Sequence, residues 1–527
     1  MAASEASGSA GEGARSSAGN AFDLLIVGAG INGAGIARDA AGRDLRVLLV
    51  EQAGLARYTS SATTKLIHGG LRYLEYFQFR LVRESLIERS RLLGIAPHLV
   101  RPGRFILPYE QQLRPAWAVR FGLFLYDHLG GGNSFERSAG VRFATSPFGG
   151  PLRRGLRRGF AYSDCTVDDS RLVILNAKDA AERGAAVRVG HRLVRAVRRH
   201  GLWQAEIEDE AARQVYPVSA RAVVNATGPW ISEVLTQRLG ESRRHAVRLI
   251  KGSHIVVRRL YDGDHAYALQ HADRRIVFVI PWHDDFTLIG TTDVPWHGEP
   301  GQAAIEASEV DYLCQAVNAH FERKIGPGDV VWSYAGIRAL WDDAASDARA
   351  VTRDYVLDLD APPGEAPVLS VFGGKFTTYR RLAERVLEKL EPHVGPLPAP
   401  WTRTVPLPGG DIPGGDVDAF VAEARRRWPF LDQARARRLV RAYGTRISRL
   451  LAGIHSLDDM GEDFGGGLTR VEVDFLVREE WARSAEDIYW RHTKTGLCAT
   501  PADQQRLAAY LRKTGSGAGD TRPAQAG

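Results

Sequence analysis

Three glycines and one carboxylate stand at a spacing that suits a dinucleotide. The glycines form Gly28-x-Gly30-x-x-Gly33, and Glu51 follows at the end of the next apolar run. Glycines permit a tight turn and let backbone N–H groups approach a pyrophosphate, while a carboxylate accepts hydrogen bonds from ribose hydroxyls. The motif therefore predicts a dinucleotide site, and by itself it leaves FAD and NAD both open.

A second motif, which we call the hydroxyl loop, covers residues 59–65. It contains five Ser or Thr side chains and ends at Lys65, and His68, Arg72 and Tyr73 come soon after it. Hydroxyl groups suit a long phosphate and ribityl chain, and the cations suit an anionic ligand. A solvated loop is the alternative, but the position directly after the nucleotide motif favours a ligand.

A third motif, Gly373-Gly374-Lys375, separates a predicted strand from a predicted helix. The helix N-terminus and the lysine ammonium would both stabilise negative charge on a reduced flavin above the glycines. An ordinary turn with a helix cap is the alternative for this segment alone. Shorter polar motifs adjoin other predicted strands at 225–230, 251–254, 290–293, 336–338 and 352–355.

The elements that would hold these motifs alternate between strands and helices. A strand at 23–27, a helix of small residues and a strand at 46–50 predict a βαβ opening. Later segments predict a hairpin at 276–280 and 286–289, a helix within 305–323, linkers at 362–367 and 395–415, and helices from 416 to 513. We therefore expect a dinucleotide- and substrate-binding domain over 21–385, a helical domain over 400–513, and disordered tails at 1–20 and 514–527.

The composition is that of a globular protein. Of 527 residues, 44% are hydrophobic and 25% are charged, and no apolar run reaches the roughly 20 residues that span a bilayer. Three cysteines without a CxxC pair give no sign of a disulfide framework or a metal site. The net charge of +7 permits a nucleic acid, an anionic lipid or an anionic substrate as partner. Lysine is scarce, yet Lys65, Lys251 and Lys375 all lie in motifs, which indicates sites that need an ammonium group.

Six ordered motifs together resemble the respiratory FAD-dependent glycerol-3-phosphate dehydrogenases of bacteria. They lie at 28–35, 64–73, 225–230, 250–254, 290–293 and 373–380. The resemblance implies a mixed α/β fold, in which a Rossmann-like FAD-binding domain is interleaved with an antiparallel-sheet substrate domain as in D-amino acid oxidase, plus a C-terminal helical domain. It also implies oxidation of sn-glycerol 3-phosphate to dihydroxyacetone phosphate, with electrons passed to ubiquinone. The enzyme would be cytoplasmic and peripheral to the inner face of the membrane.

The motifs and this resemblance assign roles to individual residues. We expect FAD to contact Gly28, Gly30, Asn32, Gly33, Glu51, Ser60, Ser61, Thr64, Lys65, Leu66, His68, Gly70, Thr227, Gly228, Asp293, Gly373, Gly374, Lys375 and Thr377. The candidate ligands of the substrate phosphate are Arg72, Tyr73, Arg338 and Lys375, with Arg353 in support. A hydride would pass from substrate C2 to flavin N5. His254 is the first candidate for the base that takes the C2 hydroxyl proton and His68 the second, and Arg338 and Lys375 are counted with them as catalytic.

Other functions and partners are weighed against these. The alternatives are a glycerol-3-phosphate oxidase that uses O₂ and a flavin amine or amino-acid oxidase. Nucleic acid is disfavoured because the arginine-rich stretch 425–449 contains few aromatic residues. A helical face with Trp117, Phe121 and Phe124 would lie at a membrane surface, with a buried or dimer-facing helix as the alternative. A homodimer is compatible with the sequence.

Overall fold

The computed structural model describes residues 21–110, 115–131, 135–241, 247–271, 273, 275–341 and 354–515. Most of the predicted tails and the candidate ligand Arg353 lie outside these residues. Within them, no helix combines the length and the apolar character that crossing a bilayer requires.

Eighteen strands are formed by the described residues. They are β1 (Phe22–Val27), β2 (Val47–Glu51), β3 (Leu66–Ile67), β4 (Val100–Pro108), β5 (Ala139–Arg142), β6 (Arg158–Val167), β7 (Ala186–Val189), β8 (His191–Arg199), β9 (Leu202–Asp209), β10 (Gln214–Asn225), β11 (Val247–Arg258), β12 (Ala266–Gln270), β13 (Ile276–Trp282), β14 (Phe286–Gly290), β15 (Val294–Pro295), β16 (Val330–Trp341), β17 (Val356–Asp360) and β18 (Val368–Phe372).

The α-helices of 11 or more residues in the described part of the chain are α1 (Ile31–Ala41), α2 (Phe79–Ile95), α3 (Ala116–Leu129), α4 (Asp169–Glu182), α5 (Ala307–Asn318), α6 (Tyr379–Val394), α7 (Val417–Arg427), α8 (Gln433–Tyr443), α9 (Arg470–Glu480) and α10 (Pro501–Lys513). The helix expected within 305–323 is α5, and it ends at Asn318.

The first sheet contains the predicted βαβ opening. Its order is β17-β18-β10-β1-β2-β7, with parallel pairing from β18 to β7 and the antiparallel strand β17 at one edge. The hairpin of β8 and β9 extends it alongside β10. Since α1, α4 and α6 cover one face and the hairpin covers the other, β1 is buried on both sides, which suits its continuous apolar run.

The second sheet is mainly antiparallel and includes the predicted hairpin of β13 and β14. Its order is β15-β11-β14-β13-β12-β4-β6-β3, while β16 pairs with β11 and β5 pairs with β6. Helix α5 covers one face, and α2 and α3 pack against the other. The strands of the two sheets alternate in chain order, so the chain crosses between the sheets repeatedly. The ligand cavity described below lies at these crossings.

Helices α7 to α10 enclose a separate hydrophobic core at the C-terminal end. The structure corrects the first of the two predicted linkers and shows that the second, which leads to this separate core, is packed. Residues 362–367 connect β17 to β18 within one sheet. Residues 395–415 lie against the first sheet's helices: Leu407 is buried, and the Trp401 ring lies under the Arg38 and Arg183 guanidinium groups. A proline-rich composition marked this stretch as irregular, but it is packed.

Candidate active site

One deep cavity, with a volume of about 710 Å³, brings the three motifs together. Many of the residues that the sequence assigned to the site line this cavity. They are Gly28, Gly30, Asn32, Glu51, Ser60, Thr64, Leu66, His68, Gly70, Arg72, Tyr73, Thr227, Gly228, Asp293, Arg338, Gly373, Gly374, Lys375 and Thr377. Most of the expected site therefore lies on one continuous surface. Gly33, Ser61, Lys65 and His254 are outside this lining, and each is placed by a different contact.

The nucleotide end is formed where β1 passes into α1. The Glu51 carboxylate accepts hydrogen bonds from the backbone N–H groups of Ala29 (2.8 Å) and Ala53 (3.0 Å), and burial raises its pKa. A Cβ atom on Gly33 would lie 1.8 Å from the Gly28 carbonyl oxygen. Gly33 is therefore needed for the close packing of the helix on the turn, and Gly28 and Gly30 face the cavity.

The polar groups at this end fit a flavin dinucleotide. Asn32 Oδ1 is buried and has no hydrogen-bond partner among the described residues, while Asn32 Nδ2 donates to the Gly373 carbonyl oxygen (3.4 Å). The N-terminus of α1 faces the same space, as anion recognition requires. Because the hydroxyl loop and the Gly373-Gly374 turn line the continuation of this cavity, the residues accommodate FAD.

Lys375 joins the second and third motifs. Its ammonium group donates to Ser85 Oγ (2.8 Å) and to the Gly69 carbonyl oxygen (3.2 Å), and it lies 4.9 Å from the centre of the Tyr73 ring. The His68 backbone N–H donates to Thr377 Oγ1 (3.2 Å). These contacts place Lys375 and His68 on the same wall of the cavity.

Arg338, on β16, supplies a second cation. It pairs with Asp293, and its Nη2 donates to Thr291 Oγ1 (3.1 Å). Arg72 and Tyr73 line the cavity from the short helical turn Leu71–Tyr76. Arg72, Arg338 and Lys375 are thus among the cationic side chains that line this cavity, and cations suit a dianionic phosphate.

His254, the first candidate for the base, does not line the cavity. Its ring is 1% exposed and stacks on Tyr334 at 4.8 Å between centres. His254 Nε2 lies 3.0 Å from Thr64 Oγ1, and Thr64 is a lining residue. Burial, with the nearby charges of Arg338 and Lys65, holds the pKa of His254 well below 6.5. The ring is therefore neutral at pH 7 and reaches the cavity through the Thr64 hydroxyl.

Lys65 and Ser61 also turn away from the cavity. The Lys65 ammonium donates to Asp169 Oδ1 (2.8 Å) and to the Ser61 carbonyl oxygen (2.9 Å), and the residue is 2% exposed. Ser61 Oγ donates to the Tyr58 carbonyl oxygen (3.2 Å). The side chains of these two residues brace the hydroxyl loop and do not line the cavity, and their contact with the cofactor stays a prediction.

Lys251 likewise serves the protein interior. Its ammonium pairs with Glu306 (2.5 Å) and Glu309 (2.9 Å). Of the three lysines that lie in motifs, Lys375 lines the cavity, whereas Lys65 and Lys251 pair with carboxylates of the protein.

Sequence reasoning missed Asp169, the first residue of α4. Its Oδ2 accepts hydrogen bonds from the Thr63 backbone N–H (3.3 Å) and hydroxyl (2.7 Å), in addition to its pair with Lys65. The available signal was a pair of aspartates, Asp168 and Asp169, directly after an apolar strand, a pattern typical of a helix N-terminus.

Exposed aromatic side chains surround the cavity mouth. Phe77 is 78% exposed, Trp117 73% and Phe121 57%, and Phe77 and Phe121 also line the cavity. Only Leu123 and Tyr126 of α3 are buried, so the apolar face of this helix is not covered by the described residues of the chain.

The parallel sheet, its glycine turn and the continuous cavity define the class of protein, an FAD-dependent oxidoreductase. Residues 23–380 match the family model described as FAD dependent oxidoreductase, and residues 400–512 match that of the C-terminal domain of alpha-glycerophosphate oxidase. A glycerol-3-phosphate dehydrogenase of Pseudomonas aeruginosa is 52% identical over 491 residues, 93% of this chain and 95% of the relative. The aerobic glycerol-3-phosphate dehydrogenase of Escherichia coli is 49% identical over 489 residues, 93% of this chain and 97% of the relative. The chain belongs to the family of bacterial FAD-dependent glycerol-3-phosphate dehydrogenases, as its motifs predicted.

A solved structure confirms the fold. The glycerol-3-phosphate dehydrogenase of Bacillus halodurans, complexed with FAD, superposes with a TM-score of 0.73 at 23% identity, covering 96% of this chain and 97% of that one. The predicted mixed α/β fold with an FAD-binding unit and a C-terminal helical part is thus confirmed, and so is FAD as cofactor. One further relative carries another name: the D-erythritol 1-phosphate dehydrogenase of Brucella abortus is 46% identical over 490 residues, 93% of this chain and 97% of the relative.

Proposed function

We propose that this protein oxidises sn-glycerol 3-phosphate to dihydroxyacetone phosphate and passes the electrons to a membrane quinone. The observation that carries the proposal is the placement of Arg72, Arg338 and Lys375 in one cavity with the nucleotide motif. A phosphate dianion needs such fixed cationic donors, whereas a zwitterionic amino acid needs a single one balanced by an acceptor. The names of the relatives support the same substrate.

Each part of the substrate has side chains of the protein that suit it. The phosphate binds Arg72, Tyr73 and Arg338, and Arg338 is oriented by Asp293. When bound, FAD supplies the acceptor for the C2 hydride and its two electrons. Lys375, held by Ser85, adds a further cationic group to the wall of the same cavity.

Proton removal from the C2 hydroxyl is assigned to His254 acting through Thr64. The substrate hydroxyl gives its proton to Thr64 Oγ1 while Thr64 gives its own proton to the neutral His254 Nε2, 3.0 Å away. The lowered pKa of His254 keeps the ring unprotonated at pH 7, and it also makes the ring a weaker base than an exposed imidazole. His68, which lines the cavity directly, is the second candidate.

The electron acceptor is proposed to be a quinone reached from the membrane. The exposed aromatic side chains at the cavity mouth suit the interface of a bilayer, where a quinone is dissolved. The protein would bind the cytoplasmic face peripherally. Molecular oxygen as acceptor and a homodimer that covers the same aromatic surface are the alternatives.

The deciding experiment is an anaerobic titration of the yellow holoenzyme. Glycerol 3-phosphate should bleach the flavin absorbance, glycerol and D-amino acids should not, and a ubiquinone analogue should restore the colour faster than oxygen does. A flavin spectrum that glycerol 3-phosphate does not bleach would contradict the proposed substrate. Faster recovery of the colour with oxygen than with the ubiquinone analogue would contradict the proposed quinone acceptor. The Brucella abortus relative makes D-erythritol 1-phosphate a second candidate substrate, and the ratio of the two kcat/KM values decides between them.

A further inference from the structure

The C-terminal part of the chain reaches the back of the flavin site through Lys494. This residue is 3% exposed, and its ammonium group contacts Ser170 Oγ and donates to Asp168 Oδ1 (3.4 Å) and to the Arg491 carbonyl oxygen (3.0 Å). Asp168 caps α4 by accepting a hydrogen bond from the Arg171 backbone N–H (3.2 Å). Lys494 is therefore attached to the first turn of α4.

The same turn holds the hydroxyl loop. Asp169 binds Lys65 and Thr63 of that loop, as described above, and its side chain is fully buried. Two lysines from distant parts of the chain thus bind neighbouring aspartates, Lys494 on Asp168 and Lys65 on Asp169. Although burial alone would raise it, the charges of these two lysines hold the pKa of Asp168 at about 2. Asp168 is accordingly ionised, and Lys494 and Lys65 each form an ion pair with their neighbouring aspartate.

A second route joins the same two regions through aromatic rings. Trp490 stacks on Trp332 with 4.5 Å between ring centres, and Trp332 lies 5.0 Å from Tyr334. The Tyr334 hydroxyl donates to the Thr63 carbonyl oxygen (2.8 Å). The polar route and the aromatic route therefore both end at Thr63, which lines the cavity next to Thr64.

We propose that the segment 490–494 is a positioning element for FAD, because it fixes the hydroxyl loop through α4 and through Tyr334. Lys494 and Trp490 touch neither the cavity nor the cofactor surface, so they are positioning residues. Since coupling between two sites is reciprocal, FAD binding also stabilises the docking of this segment. The inference rests on FAD as cofactor and is independent of which polyol phosphate the enzyme oxidises.

The chain offers a matched control for simple docking of the C-terminal part. Lys178, further along α4, pairs with Glu479 of α9 at 2.8 Å. This ion pair connects α4 to the same C-terminal region, yet Lys178 has no hydrogen bond to the hydroxyl loop. Loss of Lys178 should weaken docking without disturbing Thr63.

The first test measures the FAD dissociation constant by reconstituting the apoprotein and following the quenching of flavin fluorescence. We expect Lys494→Met and Trp490→Leu each to raise this constant by about three- to thirtyfold, which lies within the range found for residues that modulate the coupling between two sites. Lys178→Met should leave it within about twofold of wild type at a comparable loss of Tm. An unchanged constant in both segment variants, or an equal rise in Lys178→Met, would overturn the proposal.

The second test uses the wild-type chain, so it does not depend on the folding of a variant. Hydrogen exchange is compared between apoprotein and FAD-reconstituted protein. Exchange in residues 488–497 should slow on FAD binding, whereas exchange in α10 should not change. Equal exchange in 488–497 with and without FAD would refute the coupling. Both tests read cofactor binding, so their failure is distinct from a failure of glycerol 3-phosphate to act as substrate.

Discussion

The hydroxyl of Thr64 lies between the buried ring of His254 and the ligand cavity, 3.0 Å from Nε2. If proton removal runs through this hydroxyl, Thr64→Val should lower kcat about 100-fold, which is the size of a general-base contribution. Thr64→Ser keeps the hydroxyl and should stay within about threefold of wild type. Steady-state turnover with a soluble dye as acceptor measures both.

His254→Gln is the companion variant for this relay. It should lose about as much kcat as Thr64→Val, and combining the two should cost little more, because they act as a unit. A Thr64→Val enzyme with wild-type kcat would show that the base is another group, with His68 as the next to substitute.

The Arg338–Asp293 pair predicts a binding defect. Asp293→Asn removes the charge that orients Arg338, so KM for glycerol 3-phosphate should rise about tenfold, or about 1.4 kcal/mol. The control is Glu206→Gln, which breaks an exposed pair with Arg195 on the first sheet and should leave KM unchanged. A tenfold fall in kcat at constant KM would assign Asp293 to the chemical step instead.

Acid stability should depend on His98. This residue is 1% exposed, neither ring nitrogen has a hydrogen-bond partner among the described residues, and burial with the nearby Arg171 charge lowers its pKa to about 3. The unfolded chain binds the proton near pH 6.5 and the folded chain does not, so this histidine lowers stability as pH falls below 6.5. Its contribution is about 1.4 kcal/mol per pH unit.

Urea unfolding between pH 7 and 5 measures this dependence. His98→Leu should flatten the slope of unfolding free energy against pH by about that amount. His297→Gln, at an exposed position, should leave the slope as it is. An unaltered slope in His98→Leu would mean that another group accounts for the acid sensitivity.

The exposed aromatic side chains at the cavity mouth predict that vesicle binding and quinone reduction depend on them. Replacing Trp117 and Phe124, which is 52% exposed and outside the cavity lining, together by Ser should weaken sedimentation with anionic phospholipid vesicles about tenfold and slow reduction of a long-chain quinone. Turnover with a soluble dye should be unaffected, since neither residue is assigned to substrate. Leu457→Ser, an exposed apolar residue of the C-terminal part, is the control. Unchanged vesicle binding would favour the dimer alternative for this surface.

Glu51 and Lys65 differ in how well their roles could be predicted from the sequence. Glu51 was predictable because its role depends on a strand, a turn and a strand that are neighbours in sequence and in space. Lys65 looked equally suited to the ligand, but its partner Asp169 is remote in sequence, and no local pattern could indicate that this carboxylate would lie beneath the loop.

His254 illustrates a second reason why part of the site could not be predicted from the sequence. A residue on a strand faces one side of the sheet or the other, and the side of β11 was not decided by its apolar pattern, because both faces are covered. The stacking on Tyr334 of the paired strand β16 fixes the ring behind Thr64. Long-range pairing thus determined which of the two catalytic histidine candidates lines the cavity.

The alternation of the two sheets along the chain also bears on synthesis. The cavity needs Gly28 from the first strand and turn, and it needs Gly374 and Lys375, which follow the last strand of the same sheet. A nascent chain still lacking β18 lacks one of the two parallel neighbours of β10 and the wall that faces the hydroxyl loop. Cofactor capture is therefore a late event on the ribosome, although the nucleotide motif is among the first segments to emerge.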